Sequence, residues 1–184
     1  MEDLYCLAQT TVDVLRMSKM TIATAESLTG GMISSTIVNV AGASDVFRGG
    51  FITYQTEMKT ALLDIDSDII QRFNVVSAVV ARKMALNARA KTGASLAVSV
   101  TGLAGPNGGT ETIPVGTVFV GISTQDKLYA IPLHLEGDRF EIRHTTVARA
   151  LQFALREALN IYGHRNVKDR RKGRCIQWLI SRRS

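Results

Sequence analysis

The sequence predicts an α/β fold: a three-layer α/β/α sandwich around a mixed sheet that includes one antiparallel hairpin. Three observations carry this. Segments of helical period alternate with short apolar runs of strand length. Two of those runs, Met20 to Ala25 and Leu96 to Val100, open directly into turns rich in glycine. A third pair, Val115 to Ser123 and Leu128 to Leu135, is separated only by Thr124 to Lys127, the spacing of a hairpin.

Taken in order, Leu4, Leu7, Ala8, Val12 and Leu15 recur at helical spacing. Glu2 and Asp3 precede them and Arg16 and Lys19 follow, a charge order that suits the helix dipole. Met20 to Ala25 reads as a buried strand running into the turn Glu26-Ser27-Leu28-Thr29-Gly30-Gly31. A helix is predicted from about Thr29 to Val40, broken at Ala41 to Ser44. Phe51 to Tyr54 reads as a strand, Glu57 to Leu63 as a short helix, and Ser77 to Thr92 as a longer one with Ser77 as its N-cap. Leu96 to Val100 is a second buried strand, followed by the loop Gly102 to Gly109. In the second hairpin strand Tyr129, Ile131, Leu133 and Leu135 alternate, as one packed face requires, and Pro132 argues for a sheet edge. A last helix is predicted from about Asp138 to Tyr162.

The 184 residues suit one domain, read as residues 1–163, that buries roughly 70% of its unfolded surface and needs no staple. Cys6 and Cys175 stand near opposite ends, and no CxxC or Cys/His ligand spacing exists. A metal site is therefore not expected, and a reduced, cytoplasmic protein is. The first residues do not follow a signal-peptide pattern, and no apolar run approaches the ~20 residues of a membrane helix. The net charge of +6 is concentrated after Gly163. Residues 164–184 hold eight Lys or Arg against Asp169 alone, whereas the rest carries 14 basic and 15 acidic residues. The tail is expected to be poorly ordered, and nucleic-acid binding is not expected except through it.

Four segments carry candidate chemistry. Ser27 sits where a strand hands over to a helix, and a hydroxyl there lies among unpaired backbone N–H groups able to bind a phosphate or an oxyanion. Read alone, it is equally a capped helix start. Tyr54 and Lys59 lie where a strand end leads into a helix. A serine nucleophile needs a base, and His134, His144 and His164 each read as surface or satisfied residues. Lysine is the next common base, if burial lowers its pKa; taken singly, Lys59 is more often a surface residue. The Thr101 to Gly109 loop leaves the carboxyl end of a strand, where open α/β sheets bind ligands. Its spacing matches neither a P-loop nor a dinucleotide fingerprint. Finally, Gly137-Asp138-Arg139 starts a helix with Arg143 one turn on, and the two arginines suit a phosphate or carboxylate or an ordinary ion-pairing face.

Together these pieces resemble the CinA C-terminal domain family, which includes stand-alone nicotinamide mononucleotide deamidases. The match runs through Ala25 to Gly31, Gly42-Ala43-Ser44 with Phe47, Gly50 to Tyr54, Glu57 with Lys59, and Val76-Ser77. It continues through Gly102 to Pro106, Gly108-Gly109, Pro114 to Val118 and Gly137 to Arg139. The order and spacing agree from about residue 4 to residue 160. The resemblance implies hydrolysis of a nucleotide carboxamide to the carboxylate with release of ammonia, no metal or organic cofactor, and a homo-oligomer. Ser27 matches the nucleophile, and Lys59 and Tyr54 match the residues that activate it or relay its proton. On this reading backbone groups near Thr29, Gly30 and Gly31, or from Gly102 to Gly105, hold the oxyanion. Arg139, Arg143 or the glycine loop holds the nucleotide phosphate. The family also occurs fused to another domain, so a non-catalytic nucleotide-binding or regulatory module is the alternative. This chain departs from the family pattern at Leu28 (often Cys), at Gln55-Thr56 (commonly Ser-Asn), and at Ala78-Val79 (usually beginning with Glu).

Overall fold

The computed structural model describes residues 3–167. Five strands form one sheet: β1 (Ile22–Glu26), β2 (Phe47–Ile52), β3 (Leu96–Gly102), β4 (Thr117–Ser123) and β5 (Leu128–His134). Their order is β2-β1-β3-β4-β5. β1 runs parallel to both β2 and β3, and β4 and β5 close the sheet antiparallel. Six α-helices are described: α1 (Leu4–Met17), α2 (Met32–Val38), α3 (Thr56–Leu63), α4 (Ser67–Phe73), α5 (Ala78–Thr92) and α6 (Arg139–Val167). The fold is the predicted α/β sandwich with a mixed sheet and one hairpin.

β1, β3 and β4 are the interior strands of the sheet, and every residue of β1 is buried. Two cores follow from the alternation of side chains along them. Ile22, Leu96, Val98 and Val100 belong to the larger core with Leu15 of α1, Ile33 of α2 and Leu151 of α6. Ala23, Ala25 and Ala97 face the smaller core, with Leu63 of α3, Ile70 of α4 and Met84 of α5. The small side chains on that face let α5 lie close to the strands.

The predicted boundaries moved where tertiary pairing overrode local composition. β2 lies at Phe47–Ile52 and ends before Tyr54. Arg48-Gly49-Gly50 has the composition of a turn, yet it pairs with β1. Gly50 fits there because a Cβ would meet the hydroxyls of Ser34 and Thr24. α2 begins at Met32, because Gly30 and Gly31 adopt positive φ. α4 was not predicted: it is seven residues long and buries only Ile70 within it. Ser77 does cap α5, accepting from the Val80 N–H at 3.2 Å. β5 with Pro132 is an edge strand. α6 continues past the predicted Tyr162 to Val167, and the expectation for the basic tail otherwise lies outside the described residues. Among the described residues no helix is long and apolar enough to cross a membrane.

Candidate functional site

The alternation that splits the core also aims the first site residues. Along β1 the even-numbered Ile22, Thr24 and Glu26 point to the α2 side, and Ala23 and Ala25 point to the α3–α5 side. Continued one residue past the strand, Ser27 points toward α3. On α3, Lys59 and Leu63 are one turn apart and both buried, so the Lys59 stem runs inward with the apolar face. The result is a buried pair: Lys59 Nζ donates to Ser27 Oγ at 3.3 Å and to the Thr53 carbonyl at 2.7 Å. Lys59 is 1% exposed and Ser27 9%.

Burial without a carboxylate partner sets the chemistry of this amine. Desolvation penalises the ammonium form and lowers the Lys59 pKa from 10.5 to about 8, against an opposing effect of the Glu57 charge. A neutral amine at 3.3 Å from a hydroxyl is a proton acceptor for it. Ser27 and Lys59 open onto a cleft of about 260 Å³. It lies beyond the carboxyl ends of β1 and β3, where β1 leads to α2 on one face while β2 leads to α3 on the other. This is the ligand crevice of an open α/β sheet.

The loop after β3 forms the opposite wall, with Gly102, Leu103, Ala104, Gly105 and Asn107 lining the cleft. Gly102 is required here, since a Cβ would stand 2.7 Å from the Thr117 carbonyl oxygen and 2.8 Å from the Val118 Cα. Arg139, at the start of α6, straps the mouth. It donates to the Gly105 carbonyl at 2.8 Å and to the Tyr54 hydroxyl at 2.9 Å. Tyr54 is half exposed and lines the cleft. Its hydroxyl is engaged by Arg139, and neither Ser27 nor Lys59 bonds to it. Of the departures from the family pattern, Leu28 and Thr56 both line this cleft.

The two arginines divide their work. Arg139 faces the cleft. Arg143 donates Nε to the Leu28 carbonyl and Nη2 to the Thr29 carbonyl, both at 2.9 Å. Those donors are spent on holding the turn, and Arg143 does not line the cleft; it borders an adjoining hollow that shares Ala104 and Arg139 with it. Of the anion cradle expected at Thr29, Gly30 and Gly31, the two glycine N–H groups are occupied from within. The Gly30 N–H donates to the Ser27 carbonyl, and the Gly31 N–H to the Glu26 carboxylate. Sequence reasoning missed this role of Glu26. The buried carboxylate takes hydrogen bonds from Thr29, Gly31, Ile33 and Ser34. No histidine lines the cleft, and among the described residues no cluster suited to a metal ion is present.

The chain is thus an α/β domain with a serine and a lysine buried in contact at the carboxyl edge of its parallel strands, walled by a glycine loop. The comparisons with known proteins make this specific. The model of the CinA C-terminal domain matches residues 5–158, and the chain belongs to that family. It is similar to a CinA-like protein of Dictyoglomus thermophilum, 41% identical over 84% of this chain and 38% of that protein. A CinA-like protein of Citrifermentans bemidjiense is 44% identical over 79% of this chain and 35% of its own length. The chain thus spans little more than a third of these curated relatives. Among solved structures, the competence/damage inducible protein CihA of Agrobacterium tumefaciens superposes with a TM-score of 0.81 at 33% identity. That match covers 85% of this chain and 97% of that one.

Proposed function

We propose that this domain is an amidohydrolase that converts nicotinamide mononucleotide to nicotinate mononucleotide and ammonia. The observation that carries the reading is the 3.3 Å contact between the buried Lys59 amine and Ser27 Oγ. Ser27 Oγ bonds to the carboxamide carbon while its proton passes to neutral Lys59. Collapse of the tetrahedral intermediate returns that proton to the departing nitrogen, releasing ammonia and leaving an acyl-serine. Water then attacks the acyl carbon as its proton passes to Lys59; collapse returns that proton to Ser27 Oγ, restoring the serine and the neutral amine, and the released acid ionises to the carboxylate. The Leu28 N–H, without a partner among the described residues, is the main-chain donor we assign to the oxyanion.

Arg139 is the cation we assign to the nucleotide phosphate, since its guanidinium borders both the cleft and the adjoining hollow of about 490 Å³. The pyridine carboxamide then occupies the smaller space beside Ser27, and the ribose phosphate the larger one. The chemistry uses only groups of the protein and water. We place the protein in the cytoplasm as a homo-oligomer, on the family resemblance and the cysteine usage. A non-catalytic nucleotide-binding module is disfavoured by the pair itself. Burying an unpaired lysine costs stability, and binding alone gives no reason to bury it against a serine.

Ammonia release from nicotinamide mononucleotide, measured for the wild type and for Ser27→Ala and Lys59→Ala, tests this. Turnover by wild type and its loss in both folded variants is expected. A well-folded wild type that releases no ammonia overturns the substrate assignment.

A further inference from the structure

Glu26 is fully buried, adjacent to Ser27, and paired with no cation among the described ion pairs. Its two oxygens are met entirely by neutral donors. Oε2 accepts from Thr29 Oγ1 at 2.7 Å, the Gly31 N–H at 2.9 Å and the Ile33 N–H at 3.0 Å. Oε1 accepts from the Ser34 N–H at 2.8 Å and Ser34 Oγ at 2.7 Å. Gly31 stands in the N-cap position of α2 with no side chain to offer. The end of a neighbouring strand therefore supplies the cap that the helix start lacks.

We infer that Glu26 is a positioning residue for Ser27, joining the end of β1 to the first turn of α2 so that Ser27 Oγ stays on the Lys59 side of the sheet. This rests on Ser27 being the nucleophile, and on nothing further about the substrate. Two consecutive residues divide the labour through strand alternation: Glu26 turns to α2 and Ser27 to α3. Thr24 reinforces the same seam, its hydroxyl lying 2.7 Å from Ser34 Oγ. With both ends of the Glu26 carboxylate bonded, the intervening Leu28 to Gly30 segment has its inner face fixed. The Arg143 bonds to the Leu28 and Thr29 carbonyls fix its outer face. The proposal gives the buried carboxylate no proton to move and no contact with substrate; it acts through Ser27.

The test uses Glu26→Gln, which keeps shape but puts an amide against at least one backbone N–H donor. Three readouts are taken on the full chain: kcat and KM for nicotinamide mononucleotide, the rate of Ser27 labelling by a fluorophosphonate, and the thermal midpoint. The labelling reports Ser27 reactivity whatever the natural amide is. The expected result is labelling and kcat lowered together by roughly 10- to 100-fold, the size of effect a sub-ångström to 1 Å misplacement produces, with KM within about twofold. Ser34→Ala, which removes one of the five bonds and leaves all three backbone amides in place, is expected to show a smaller loss in the same two rates. Wild-type labelling and kcat in folded Glu26→Gln would overturn the proposal, whatever happens to the midpoint. Should that variant fail to fold, wild-type labelling by Ser34→Ala overturns it instead. If wild type labels at Ser27 but releases no ammonia, the substrate reading fails while the labelling ratio still decides the role of Glu26. Labelling that persists in Ser27→Ala overturns both.

Discussion

Two lysines are drawn toward buried groups at different places in this domain, and they meet opposite surroundings. Lys59 is buried and faces only a hydroxyl and a carbonyl. Lys127, on the turn between β4 and β5, keeps about half its side chain in solvent and pairs at 3.0 Å with Glu157, whose side chain is 5% exposed. Tyr129 also donates to that carboxylate at 2.8 Å. In the second case a buried charge is matched by a cation and hydrogen bonds, the usual condition for tolerating it. In the first case the match is withheld, and the amine moves toward its neutral form. A polar group buried beside a nucleophile without charge compensation costs stability and gains reactivity, and that asymmetry separates the site from the scaffold.

Lys59→Met breaks the comparison most directly. It fills the same space with no amine, and loss of a positioned base is expected to lower turnover by about 10²- to 10⁴-fold. Removing an uncompensated polar group is expected to leave the thermal midpoint unchanged or raised. The pH dependence follows from the same group. Activity should rise with pH to a plateau, with an apparent pKa near the amine's value of about 8. Because that value lies below the 10.5 of the unfolded chain, the folded protein binds fewer protons over that interval. Stability from this residue therefore rises with pH between about 8 and 10.5. The Met variant should lack that rise, so denaturant titrations of both proteins at pH 7.5 and 10 test the assignment apart from any substrate. A rise of equal size in both would return Lys59 to an ordinary surface-like amine.

The second cluster gives the opposite signature. Burial raises the Glu157 pKa, but the Tyr129 hydroxyl and Lys127 outweigh it and the carboxyl is held below its usual value. The same carboxylate, after burial, raises the Tyr129 pKa. Stability from Glu157 is thus present above the unfolded value of 4.5 and lost as pH falls through the folded one. Glu157→Gln is expected to cost about 1–2 kcal/mol at neutral pH, and the difference should close in acid. kcat and Ser27 labelling should not change. A loss of activity matching that of Glu26→Gln would mean that buried carboxylates anywhere in this domain act through stability alone.

What the sequence disclosed follows the range over which each interaction acts. The sheet interior, the Ser27 turn, the cap at Ser77 and the edge position of Pro132 all depend on residues within a turn or two of each other. Alternation and glycine placement report them. β2 was misplaced because Arg48-Gly49-Gly50 looks like a turn until the neighbouring Thr24 and Ser34 hydroxyls explain the missing Cβ. Glu26 was legible as part of the turn but not as a cap, since caps are sought beside the first helical residue and Met32 is well downstream. Arg143 carried the right chemistry for an anion, yet its partners are carbonyls 114 and 115 residues away in sequence. A single sequence holds no trace of that pairing. The burial of Lys59 was conditional for the same reason: its helical face was inferable, the absence of a carboxylate opposite was not.

Tyr54 gives the smallest expected effect and the finest division between the two regions. The family resemblance makes it a proton-relay residue, whereas the structure spends its hydroxyl on Arg139 at 2.9 Å, with the ring half in solvent. A relay has to reach the reacting pair, and here Lys59 reaches Ser27 unaided. Tyr54→Phe keeps the ring as a wall of the cleft and releases the Arg139 strap. The expected result is a kcat within about tenfold of wild type and a raised KM, because loss of one hydrogen bond at an exposed position is worth about 1 kcal/mol. Arg139→Met should raise KM further, since it removes the strap and the proposed phosphate contact together. If Tyr54→Phe instead loses kcat by a factor comparable to Lys59→Met, the strap opens when substrate binds and the hydroxyl joins the proton path. The reactive centre would then be a triad closed by the ligand rather than the pair already in place.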